Sequence, residues 1–294
     1  MKRFLVKVAL GAFGAGLLLV GLPVARVVLA QPAQEAAFRL PADTQILFTG
    51  DSHIGCGIVE HPGVKVLWRS SSSPKFSLLR LRNIDRLGWP EGLRTVVTEV
   101  STQTLYAEHA DSLQGPAWET AFFWAWPLPE AWADWRVVVR FLGRLSHFPA
   151  VPEPSETPPD TETPITSRTE AEREDELRRA FASHFGRLTT PGEWARAEAE
   201  LREELRALRA FCEAKGVRLV LFSGPQTSFY RTRMPPWAWE RFVAFQAWLR
   251  EEGFDYHDRR EALEDVWFRD SHHPRPSGAK RFTERFLREL RAAH

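Results

Sequence analysis

Five short strand-like runs, the first four rich in apolar or β-branched residues, separated by stretches of helical periodicity, constrain this chain more than any other feature. They occupy residues 45–49, 64–68, 94–100, 217–222 and 253–257. Each is too short for a core helix and the right length for a strand. Between and after them, 54–59 opens a helix and 76–87 carries apolar residues at helical spacing. A long helical region at 170–215 breaks near 189–192, where Thr190 is placed to cap a helix opened by Pro191 and ended at Gly216. Residues 236–252 read as a helix, and 277–293 as a closing amphipathic helix. Strands that alternate with helices need crossover connections, so the expected architecture is α/β. Its centre is a mostly parallel sheet of about five strands, with helices on both faces.

Two stretches fall outside that alternation. Residues 117–145 are aromatic-rich and partly helical, broken by Pro127 and Pro129. Residues 151–169 are dense in Pro, Glu, Thr and Ser and read as an exposed, flexible insertion. The chain has 294 residues, of which 44% are apolar, enough for one sizeable α/β core. Its 39 basic and 38 acidic residues nearly cancel, so charge gives no case for a nucleic-acid partner. The 12 tryptophans read mainly as packing residues. Cys56 and Cys212 are too few for a disulfide scaffold and lack metal-ligand spacing; they are left unpaired, and no metal or organic cofactor is implied.

The first 30 residues have a different logic. Lys2, Arg3 and Lys7 precede an apolar run over 8–24, followed by Arg26 and a second short apolar stretch. This is the pattern of an export signal, either cleaved after Ala30 or kept as a short membrane anchor. Residues 1–30 then stand outside the fold. The body, 40–294, is expected in the periplasm or at the cell surface, with the N-terminal segment as its membrane contact.

Chemistry-bearing residues concentrate at opposite ends of that body. Gly50, Asp51, Ser52 and His53 follow the first strand directly. Asp270, Ser271, His272, His273 and Pro274 precede the last helix. In a doubly wound sheet both segments reach the carboxyl edge of the strands, where ligands bind. Ser52 supplies a hydroxyl, His273 a base and Asp270 a carboxylate to orient it. Gly50 is read as allowing a tight turn, with backbone N–H groups near Ser52 as oxyanion donors. Asp51 is expected to order the turn, Cys56 to pack and Asp258 to be structural. His53 either lines the pocket or solvates the helix start. His272 competes with His273 as the base.

Gly50-Asp51-Ser52 resembles the first block of the SGNH/GDSL hydrolase superfamily, and Asp270-x-x-His273-Pro274 with Gly278 resembles its last block. The resemblance implies a flavodoxin-like three-layer fold and a triad of Ser52, Asp270 and His273. It favours His273 over His272, because the Pro and Gly that follow match the family spacing. Gly-Asp-Ser-His-Ile is further similar to a membrane-anchored bacterial branch, distantly similar to proteins of envelope O-acetylation and of D-alanine transfer. That implies a serine esterase or O-acyltransferase acting on an acylated glycan or small ester, with a membrane O-acyltransferase as a partner. The family's middle blocks are altered here: Ser70 to Ser73 follow the second strand and Ser101-Thr102-Gln103 the third, where a Gly and an Asn are expected. Ser71, Ser72, Gln103 and His53 are therefore the candidates for oxyanion or substrate contact. The alternative is a catalytically weak envelope protein that binds glycan or the O-acyltransferase.

Overall fold

The computed structural model describes residues 36, 38–68, 74–105, 162–185 and 191–292. The chain divides into two units, one of residues 1–39 with 113–154 and one of 40–112 with 155–294. The fold described is that of the second unit. The export segment, the aromatic-rich stretch, Thr190, Ser71 and Ser72 lie outside the described residues.

Five strands form one sheet: β1 (Ile46–Gly50), β2 (Val64–Trp68), β3 (Thr95–Glu99), β4 (Arg218–Ser223) and β5 (Asp255–Asp258). All neighbours are parallel, in the order β2-β1-β3-β4-β5. The five sequence runs thus become strands, shifted by a residue or two at their ends. Phe48 pairs with Val66 on one side and Val97 on the other, which puts β1 and β3 in the buried centre. Chain order reverses at β1, and this opens a crevice beyond the carboxyl ends of β1 and β3.

The helices are α1 (Ser52–Gly57), α2 (Pro74–Gly88), α3 (Glu170–Phe185), α4 (Pro191–Ala214), α5 (Ser228–Arg233), α6 (Pro236–Glu251) and α7 (Pro276–Ala292). Side chains alternate across each strand, so each face acquires its own core. On one face Ile46, Phe48, Val97, Val220 and Phe222 join Ile54 of α1 and Phe282, Phe286 and Leu290 of α7. Phe222 and Phe286 meet with centroids 5.0 Å apart, and α1 packs against α7. On the other face Leu47, Val96 and Leu221 are buried, and α2 packs against α4.

Two expectations need correction. Residues 162–169 do not extend the exposed insertion: Ile165 is fully buried, its N–H donates to Phe268 O at 2.7 Å, and Glu162 Oε1 accepts from Ser277 N at 2.9 Å. An apolar Ile inside a Pro/Thr-rich stretch is what docks it. Gly50, in turn, does not have the positive φ of a glycine turn; among the described glycines that belongs to Gly63, Gly88, Gly216 and Gly253. Its requirement is room, because a Cβ there would sit 2.7 Å from Ile54 Cγ1.

Candidate active site

The site begins with how the end of β1 is held. Arg80 on α2 is only 2% exposed, and its Nη1 donates to Gly50 O at 3.2 Å and Thr49 Oγ1 at 3.3 Å. Thr98 Oγ1 donates to Thr49 O at 2.7 Å. These contacts pin the carbonyls just before the turn. Asp51 then caps α1, with Oδ1 accepting from His53 N at 2.9 Å. That is the ordering role read from its sequence position. Ser52 becomes the first residue of α1, at the crevice. The N–H of His53 is taken by Asp51 Oδ1 and that of Gly55 by Asp51 O, so neither is free to act as an oxyanion donor.

The loop before α7 comes to the same point. Gly278 lets it approach: a Cβ there would lie 2.3 Å from Trp267 O. His273 Nε2 is 3.2 Å from Ser52 Oγ, and His273 Nδ1 is 3.0 Å from Asp270 Oδ2. An ionised carboxylate only accepts, so Nδ1 carries the hydrogen and Nε2 offers a lone pair to the serine. Asp270 Oδ1 accepts from the backbone N–H groups of His272 and His273, at 3.0 and 2.7 Å. Burial pushes the Asp270 carboxyl up, but the His273 and His272 imidazoles and these hydrogen bonds outweigh it and hold the group far below the usual carboxylate range.

Three further groups complete the cluster. His53 is buried, with Nδ1 3.1 Å from Glu99 Oε1 at the end of β3. Neither Glu99 oxygen accepts an aligned hydrogen bond among the described residues, so charge attraction dominates that contact. Burial alone would lower the His53 pKa, yet the charges of Glu99, Asp51 and Asp270 push it up to about 9, and the ring is an imidazolium at neutral pH. His272 goes the other way. Burial and the neighbouring His273, His184 and His53 keep it well below its usual value, and so neutral. Its Nδ1 is 2.8 Å from Ser271 Oγ, which donates to Glu176 Oε1 at 2.8 Å. The His272 and His53 rings stack at 5.2 Å, and His184 meets His272 edge-on at 4.7 Å.

The structure therefore brings Ser52, Asp270, His273 and His53 together, and His273 rather than His272 faces the serine. Ser71 and Ser72 lie outside the described residues; Gln103 sits in a short 3-10 turn after β3, and its side chain is outside the description. Cys56 and Cys212 are unpaired. Cys56 has a neighbour that its sequence surroundings do not disclose: Arg269 Nη2 donates to its Sγ at 3.0 Å. Burial nevertheless pushes the Cys56 thiol up to about 11, so it is no nucleophile at neutral pH. Asp258 is structural, with both oxygens on the Arg260 guanidinium at 2.9 and 2.6 Å. Glu99, Glu176 and His184 were not read from the sequence. The one available signal for Glu99 was a lone carboxylate inside a β-branched run.

Fold and site define a class: a doubly wound α/β protein with a hydroxyl–imidazole–carboxylate chain at its topological switch point. No family model matches the chain, and no curated protein matches it. Several solved structures are similar, among them two from Bacteroides species. One is a candidate acylhydrolase from Bacteroides fragilis, with a TM-score of 0.43 and 11% identity over 89% of this chain and 92% of that one. The other is a GDSL-like lipase from Bacteroides thetaiotaomicron, with a TM-score of 0.45 and 11% identity over 89% of this chain and 95% of that one.

Proposed function

We propose that the protein is a serine esterase or O-acyltransferase of the SGNH/GDSL type, acting on acyl esters. The observation that carries this reading is the chain from Ser52 Oγ to His273 Nε2, 3.2 Å, and from His273 Nδ1 to Asp270 Oδ2, 3.0 Å. Ser52 Oγ attacks the acyl carbonyl while His273 Nε2 takes its proton. Asp270 orients the ring and stabilises its charged form. The tetrahedral intermediate collapses, His273 returns the proton to the leaving alcohol, and the acyl group stays on Ser52. Water or a second hydroxyl, deprotonated by His273, then releases it.

His53 supplies the positive charge that this mechanism needs near the developing oxyanion. It is a buried imidazolium, held by Glu99 and in edge contact with His273 at 5.2 Å. In a dry site such a charge replaces the Asn that the family's middle block would provide. Ser71, Ser72 and Gln103 remain further candidates for that role.

The substrate and the cellular place are part of the same proposal. The basic-then-apolar start of the chain supports an extracytoplasmic address, and acylated glycans of the envelope are the substrate class available there. A membrane O-acyltransferase is the proposed partner where transfer replaces hydrolysis. Replacing Ser52 with Ala and assaying p-nitrophenyl acetate tests the chemistry. The expected loss is about 10³-fold or more in kcat; unchanged turnover would refute the assignment.

The second reading, a glycan- or partner-binding protein with little activity, is favoured by one observation. Ser101 and Thr102 are buried after β3 where the family resemblance expects an Asn, and their hydroxyls have no hydrogen-bond partner among the described residues. Glycan binding by wild-type protein that turns over no ester would select that reading.

A further inference from the structure

We infer that His53, His272 and His273 form a binding site for a zinc-class divalent ion, and that filling it blocks Ser52. One ligand atom from each of the three lies within 4.8 Å of the others. The arrangement behind them is what points to a metal. His273 Nδ1 is held by Asp270 Oδ2 at 3.0 Å, and His53 Nδ1 by Glu99 Oε1 at 3.1 Å. His272 Nδ1 is held by Ser271 Oγ at 2.8 Å, and that hydroxyl is in turn bound to Glu176. His273 is thus anchored through Nδ1 to a carboxylate and His272 to one through a hydroxyl, which leaves their Nε2 atoms as ligand atoms, while His53 is drawn to Glu99 by charge. Such outer partners orient and strengthen metal-ligating histidines.

Once His53 has given up its proton, three imidazole nitrogens suit zinc and disfavour magnesium and calcium, which take oxygen. Zn–N bonds of about 2.0–2.1 Å require the nitrogens to draw inward by roughly 1 Å, within reach of side-chain rotation. Binding displaces water from the ion and releases the His53 proton to solvent, with no redox change. Ser52 Oγ lies 3.2 Å from His273 Nε2, one of these ligand atoms. An ion there takes the lone pair that the base needs. The sequence hides this site, because His53 and the His272-His273 pair stand at opposite ends of the body with no ligand spacing between them.

The inhibition, though not the binding, rests on reading Ser52 as the nucleophile. The test titrates zinc chloride into the metal-stripped full chain against a chromogenic chelator, with p-nitrophenyl acetate hydrolysis followed in parallel and magnesium chloride as a control. One equivalent of zinc is expected to bind and to lower hydrolysis by about 10-fold or more, reversibly with EDTA. His272→Gln, read for zinc binding and not for hydrolysis, is expected to bind zinc about 10-fold more weakly or worse. His53→Gln, read for binding alone, separates this site from one built on Glu176, Asp270 and His272; it too should lose zinc. No bound zinc, zinc bound without inhibition of an active enzyme, or wild-type affinity in either variant would overturn the inference. If the wild type hydrolyses nothing yet binds zinc through His53 and His272, the metal site stands and the hydrolase reading falls.

Discussion

Asp270 Oδ1 accepts two backbone N–H groups and Oδ2 the ring of His273, so one carboxylate sets both the loop and the base. Asp270→Asn keeps the shape but presents an amide that favours the wrong imidazole tautomer. The expected outcome is a loss of about 10³-fold or more in kcat, with little change in KM. Glu99 is a positioning residue acting through His53. Glu99→Gln removes the charge that keeps His53 protonated, and a fall of about 10- to 100-fold in kcat is expected with KM nearly unchanged. Glu99→Asp should recover part of it. A stability loss without the kcat change would reduce Glu99 to a structural role. These residues also show what a sequence can disclose. Ser52 and His273 stand at ends of strongly patterned elements, so the strand and the helix advertise them. Glu99 ends β3 within a longer β-branched run and Glu176 lies on a charge-rich helix, and only the packing of β3 and α3 around the crevice gives either a task.

At the scale of elements, the loops feeding α1 and α7 depend on missing side chains. Gly278→Ala places a Cβ 2.3 Å from the Trp267 carbonyl, a backbone atom that cannot swing away. A lower Tm and a disturbed Ser52–His273 contact are expected, so activity should fall along with stability. The exit from β5 depends on charge instead. Desolvation alone would raise the Asp258 pKa, but the hydrogen bonds and charge of Arg260 outweigh it and lower the pKa. A depressed carboxylate adds stability above its unfolded pKa of about 4, and that stability is lost as pH falls through the lower folded value. Asp258→Asn should therefore destabilise at pH 7, and the gap from wild type should close in strong acid, as measured by urea unfolding. Element type was legible because each run of apolar residues matched one period. Residues 162–169 have the composition of an exposed linker, and the single Ile165 that docks them is too weak a signal against it.

Across the whole molecule, one parallel sheet carries both apolar faces and both halves of the site. Phe286 is fully buried against Phe48, Phe222 and Phe282. Phe286→Ala is expected to cost about 3–5 kcal/mol in urea unfolding. Strand order is a property that hydrophobic patterning does not encode, since any two parallel strands bury similar surfaces. The placement of β1 between β2 and β3 comes from crossover geometry, and it is that placement which puts His53 beside Glu99 and Ser52 opposite His273. The central claim is that this convergence makes Ser52 a nucleophile. Intact-mass measurement after treatment with a fluorophosphonate probe tests it directly. One adduct per chain, mapped to Ser52 and abolished in His273→Ala, is the expected result; an unmodified Ser52 in folded wild-type protein would contradict the account.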